Sequence, residues 1–232
     1  MGFGSMGDFL TVISPPYLQA FASGFALTLL ITASFLVLGG GWGIVLTMLR
    51  MVPILSPIVA TYVSLHRNVP LLVQVMFWYF AAPEFLPSFV TSWINQRPSE
   101  IYFAILAISL AFGAYASEDL RSGIRSLPTV QYEAARAVGL SYMQAMRLVI
   151  IPQAARASLP ALTNQFLLFF KGTSIASAIG AAELTHAAYS VNNATYLAYQ
   201  SFAVATALYL AVSLAIMALS GWLQRRAGKQ AR

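Results

Sequence analysis

Long apolar runs, separated by short polar breaks, dominate this 232-residue chain. Five runs are long enough to cross a bilayer as helices, which takes about 20 residues each. They cover residues 23–49, 56–80, 101–120, 159–179 and 196–223. The first carries no charge anywhere between Asp8 and Arg50. Helices are the natural form because lipid offers no partner to an unpaired backbone group. A barrel would read instead as short alternating segments. The pattern predicts an all-α, polytopic membrane protein with five transmembrane helices. It divides into an N-terminal periplasmic or interfacial segment (1–22), one membrane domain (23–223) and a basic cytoplasmic tail (224–232).

One interval departs from this regime. Between Arg121 and Arg156 the apolar runs give way to an amphipathic, partly charged stretch, with its polar core at EAARAVGLSYMQAMRLVIIP (133–152). Pro128 ends the preceding helix, and Leu127-Pro128-Thr129 supplies a turn and a cap candidate. Tyr132 to Val138 can form two helical turns carrying Ala134, Ala135 and Ala137. Gly139 suits a left-handed C-cap. Ser141 then caps a second short helix running to Ile150, with Met143, Met146, Leu148 and Val149 on its apolar side, and Pro152 ends it. Two short helices hinged at a glycine would make a compact knob within a loop of about residues 125–156, between the third and fourth spans.

Composition and charge give the chain a membrane and a direction. Apolar residues make up 59% and charged residues 9%, with a mean hydropathy of +0.72; ordinary soluble domains run to about 25% charged. There is no cysteine, hence no disulfide framework and no thiolate metal site. The net charge of +6 is dispersed among apolar spans without a basic stripe, which argues against nucleic acid and for the positive-inside rule. With the N-terminus outside, the inner side receives Arg50, Arg121, Arg125, Arg136, Arg147, Arg156, Arg225, Arg226, Lys229 and Arg232. The outer side keeps Arg97 beside Asp8, Glu84, Glu100 and Glu183. The knob is therefore expected in the cytoplasm, with the C-terminus. The N-terminus lacks a basic region and carries Asp8, so a cleaved signal peptide is not expected.

Polar groups inside spans are costly and point to function. Arg67 falls near the centre of the second span, between His66 and Asn68 and just before Pro70. Lys171 falls near the centre of the fourth, followed by Gly172, Thr173 and Ser174. A helix weakener beside polar groups is how discontinuous helices mark midplane sites in transporters. A pathway along these two segments would be lined by Arg67, Asn68, Asn164, Gln165, Lys171, Thr173 and Ser174. The competing reading has Arg67 snorkel or pair with Glu118 or Asp119, and Lys171 bond carbonyls at a kink. Gly39, Gly40, Gly41 and Gly43 include a small-xxx-small pair, read as packing within the subunit rather than a dimer interface. His66 and His186 have no ligand spacing, and no phosphate-binding loop occurs; Lys171-Gly172-Thr173-Ser174 lacks the preceding glycine. No enzyme active site is visible.

Glu133-Ala134-Ala135, then three residues, Gly139, nine residues and Val149-Ile150-Ile151-Pro152 resemble the EAA coupling loop of bacterial ABC importer permeases, with two aliphatic positions exchanged. RNVPLLVQ (67–74), GAYASEDLRSGIRSLP (113–128) and NQFLLFFKGTSIASAIG (164–180) are similar to the polar amino-acid uptake branch of that family. The likeness runs from about residue 24 to the C-terminus. It implies a permease subunit in the bacterial inner membrane that meets a cytoplasmic ABC ATPase dimer through Glu133, Ala134, Ala135, Gly139 and Pro152. It implies further partners: a second permease subunit, identical or related, and a periplasmic or lipid-anchored amino-acid-binding protein, besides membrane lipid. ATP and Mg would be bound by the ATPase, leaving no cofactor in this chain. Relatives often carry acids where this chain has Gln165 and Gly172, so the resemblance favours a neutral or acidic amino acid over a cationic one. Ala111 and Phe112 also depart from the family pattern before Gly113. The alternative is a stand-alone dimeric secondary transporter or channel. That reading would call for an internal repeat and a coupling carboxylate within a span; neither is found.

Overall fold

The computed structural model describes residues 6–229. Arg232, assigned above to the basic tail, lies outside the described residues. The chain folds into α1 (Met6–Val12), α2 (Pro15–Leu49), α3 (Ser56–Asn68), α4 (Leu71–Met76), α5 (Ser88–Asn95), α6 (Ser99–Arg125), α7 (Thr129–Ala137), α8 (Tyr142–Ala145), α9 (Ile151–Gly172), α10 (Leu184–Thr195) and α11 (Ala198–Lys229). No strand occurs among the described residues.

Three of these helices, α2, α6 and α11, are each long and apolar enough to cross a membrane unaided. The other two expected spans are broken. The second, 56–80, is two helices: Val69 is extended at φ −92°, ψ 129°, as a residue before proline must be. Beyond Pro70, α4 runs into a π-helical turn (Phe77–Ala81) and a 3₁₀ turn (Ala82–Phe85). Leu71–Phe85 is apolar but reaches only roughly 22 Å at 1.5 Å per residue, short of a bilayer core.

The fourth span is also compound. It begins at Ile151 rather than 159, tightens to a 3₁₀ turn at Thr173–Ile179, and turns at Gly180 (φ +88°) into α10, with a 50° bend across the break. Pro152 was expected to end the knob, and it does not. It sits in the first turn of α9, which follows the π-helical turn Met146–Ile150 without interruption. A first-turn proline forfeits only an N–H that has no helical partner there.

The α6 helix forms the centre. It runs parallel to α2: Gly39 lies against Ser109 and Gly113, Gly43 against Ala116, and Thr47 against Ser117. Against α9 it runs antiparallel: Phe112 and Tyr115 meet Phe169, and Asp119 meets Ser158. The outermost long helix, α11, returns antiparallel to α9, with Tyr209 on Phe170 and Ser220 on Thr163. Phe35, Phe112 and Phe169 interlock edge-on at the core with Ile31, Ile108 and Val75.

Close approach of α2 and α6 requires glycine. A Cβ on Gly39 would lie 2.6 Å from the Ser109 carbonyl oxygen, whereas Gly40 and Gly41 face open space. The small-residue pair thus packs inside the subunit. These registers gather Arg50, Arg121, Arg125 and the α9 start at one end, with α1, Glu183 and the α10–α11 connection at the other.

Candidate functional site

Local bonds build the knob. At the end of α7 the Gly139 N–H donates to Arg136 O and the Leu140 N–H to Ala135 O, a Schellman closure requiring the left-handed φ of +88° at Gly139. Arg136 caps the same turn by donating to Leu140 O. Ser141 then opens α8 with a reciprocal capping box: its Oγ accepts the Gln144 N–H at 3.3 Å and its N–H donates to Gln144 Oε1 at 2.8 Å. Tyr132 and Tyr142 meet edge-on across the hinge.

Outward lie Glu133, Ala134, Arg136, Ala137, Val138 and Gly139, with Val138 77% exposed. Ala135 does not belong to this surface. It is 6% exposed and faces the chain's own interior, because α7 turns one side onto the π-helical turn below. Met146 and Ile150 anchor that side, while Met143 and Leu148, expected on the same apolar stripe, are exposed. The widened π turn rotates the register and splits the stripe. A groove of about 400 Å³, lined by Ile124, Leu127, Tyr132, Glu133, Met146 and Ile150, runs beneath the knob.

The second region lies where the two broken spans face each other. Gln74, buried in α4, donates to His66 O at 2.9 Å and Val69 O at 2.8 Å, while its Oε1 meets His66 Nδ1. One side chain thereby satisfies carbonyls that the Pro70 break leaves without helical donors. A cavity of about 200 Å³ separates this break from α9; His66, Gln74, Tyr115, Phe169, Gly172 and Ile175 are among its lining residues. A Cβ at Gly172 would come within 3.3 Å of Leu71.

The seven pathway residues named from sequence do not converge on this cavity. Arg67 and Asn68 are exposed at the end of α3 and line a neighbouring recess of about 380 Å³ with Arg50, Ser64 and Glu118. The Arg67 guanidinium lies over the Tyr115 ring at 5.5 Å, and its charge acts on Asp119. Glu118 is instead paired to Arg50, Arg125 and Arg121. Asn164 and Lys171 are exposed on α9. Gln165 is half-buried, with its Nε2 buried and without a hydrogen bond. Thr173 is fully buried, donating to Phe170 O; Ser174 donates to Lys171 O.

Sequence reasoning passed over Gln74 and Glu183. Gln74 was visible as a lone amide in an apolar run just after a proline break. Glu183, counted among the outer acids, is in fact fully buried.

Comparison with known proteins agrees with this architecture. Residues 36–229 match the family described as binding-protein-dependent transport system inner membrane component. The chain is 33% identical over 216 residues to the glutamate/aspartate import permease protein GltJ of Escherichia coli (strain K12), covering 90% of this chain and 88% of that one. It is 41% identical over 177 residues to the nopaline transport system permease protein NocM of Agrobacterium fabrum (strain C58 / ATCC 33970), 73% of each. Among solved structures, an amino acid ABC transporter crystallised with histidines superposes with a TM-score of 0.83 at 30% identity, over 97% of this chain and all of that one. The chain belongs to the family of binding-protein-dependent transport system inner membrane components, as a permease subunit of the amino-acid ABC transporter kind.

Proposed function

We propose that this chain is the membrane-spanning subunit of an ATP-driven importer in a bacterial inner membrane, and that it moves a neutral or acidic polar amino acid inward. Two permease subunits enclose the pathway. A cytoplasmic ATPase dimer drives them through the knob at 129–150, and an external binding protein delivers the cargo. The observation that carries this reading is the knob itself. Its fold is held by its own caps, and it presents Glu133, Ala134, Ala137, Val138 and Gly139 outward. It stands at the end of the chain that gathers Arg50, Arg121 and Arg125, the side that positive charge marks as cytoplasmic. Small side chains at a tip allow another protein's backbone to come close, and a capped turn can transmit force without unravelling.

Cargo passes the facing breaks of the second and fourth spans, where helix irregularity is tolerated only against protein or a water-filled cavity. Arg67 and Lys171 give the surroundings positive charge, while Gln165 and Gly172 withhold the acids that a cationic substrate would need.

The test is co-purification with the partner ATPase and ATP-dependent uptake, before and after Gly139→Asp. The expected result is loss of both, since the variant puts a charged side chain at a left-handed backbone position on the docking tip. An unchanged complex with unchanged uptake would overturn the coupling role. Robust lysine or arginine import by the parent complex would overturn the substrate class.

A further inference from the structure

Glu183 is a carboxylate with no exposed surface, inside a chain that crosses a membrane. Its Oε1 accepts the His186 N–H at 2.9 Å, capping α10, and its Oε2 accepts the Tyr209 hydroxyl of α11 at 2.7 Å. The Thr28 hydroxyl of α2 approaches the same Oε2 at 3.4 Å and takes the Leu184 N–H at 3.1 Å. Thr185 and Thr173 complete the polar cluster around Tyr209. Three helices therefore converge on one side chain: α2, α10 and α11. Gly24 lets them meet, since a Cβ there would lie 2.9 Å from the Glu183 carbonyl oxygen.

Beside this cluster Phe21, Leu184, Ala187, Ala188 and Val191 pack into one apolar layer between α2 and α10. Hydrogen bonds are directional, and a buried donor left without its acceptor costs about 1–3 kcal/mol. On the other side of Glu183 the helix is interrupted: the 3₁₀ turn Thr173–Ile179 and left-handed Gly180 join α10 to α9, which leads back to the knob.

We infer that Glu183 is a positioning residue for transport. It clamps α10 to α2 and α11, so that the end of the molecule opposite the knob moves as one body when α9 is driven. Without the clamp, α9 would flex at Gly180 and ATP would be hydrolysed with little transport. The inference rests on the proposed ATP-driven import, and the measurement separates the two.

Parent complex and variants are reconstituted in vesicles with ATPase and binding protein, and amino acid imported per ATP hydrolysed is measured beside the amount of assembled complex. Glu183→Ala should assemble and hydrolyse ATP as the parent does, with import per ATP lowered about tenfold, the scale of leaving a buried donor without its acceptor. Glu183→Gln, whose amide oxygen can still accept, should recover most of it. Tyr209→Phe, which keeps the ring, should lower the ratio by about threefold; it carries the test if Glu183→Ala does not assemble. An unchanged ratio in Glu183→Ala or in Tyr209→Phe would overturn the inference, as would Glu183→Gln proving as damaging as alanine. A parent complex that hydrolyses ATP yet imports nothing would overturn the transport reading, and this inference with it.

Discussion

The knob at 129–150 and the cluster around Glu183 lie at opposite ends of the molecule and are built in opposite ways. The knob's bonds run between neighbours: Ser141 with Gln144, Gly139 with Arg136, Leu140 with Ala135. The cluster's bonds run between strangers: residues 28, 183 and 209 meet only because three helices cross there. A locally bonded unit keeps its shape while its neighbours move, and so suits the docking role proposed for the knob. A cluster of distant residues registers the position of whole helices, and so suits the positioning role inferred for Glu183.

Substitutions can sharpen or break this contrast. The largest effect is expected between helices, away from both ends. Gly39→Leu should drive α2 off α6 and lower stability by about 3 kcal/mol, as overpacking does, while Gly40→Leu, facing open space, should leave the melting temperature nearly unchanged. Equal melting temperatures would contradict the close approach. Next comes the knob's buried side. Ala135→Asp should cost about 2 kcal/mol by burying a charge. Ala134→Asp, exposed on the same helix, should leave stability intact and lower only ATP-coupled uptake; detergent melting curves paired with uptake assays tell them apart.

Gln74→Leu strips the His66 and Val69 carbonyls of their donor and should cost about 2 kcal/mol. A melting shift no larger than that of a surface change would remove Gln74 as the brace of the broken span. The smallest effect is at the cap: Ser141→Ala should cost about 1 kcal/mol. Faster amide exchange confined to α8 is expected, with α10 unaffected.

How much was legible follows the same division. Gly139 and Ser141 were read correctly because a left-handed cap and a capping box are short-range patterns. The helical membrane class was legible because apolar runs of this length have few alternatives. Pro152 was misread as a stop, since proline in a first helical turn and proline after a last one look alike in one dimension; the preceding π turn decides between them. Arg67 and Lys171 drew attention as charges in apolar runs, yet both are exposed beside the cavity rather than lining it. Two residues that hold broken backbone together, Gln74 and Glu183, carried no such flag.

By itself, then, the sequence determined the class of fold, the position and internal turn of the knob, and the uneven distribution of basic residues. Each depends on composition or on contacts within a few positions. Tertiary structure alone decided that two of the five expected spans are broken, that Gly39 packs while Gly40 does not, that Ala135 turns inward, and that Glu183 is buried among Thr28, His186 and Tyr209. Those outcomes depend on which helix faces which, and a helix shows the same face to sequence reasoning whether lipid, water or another helix covers it.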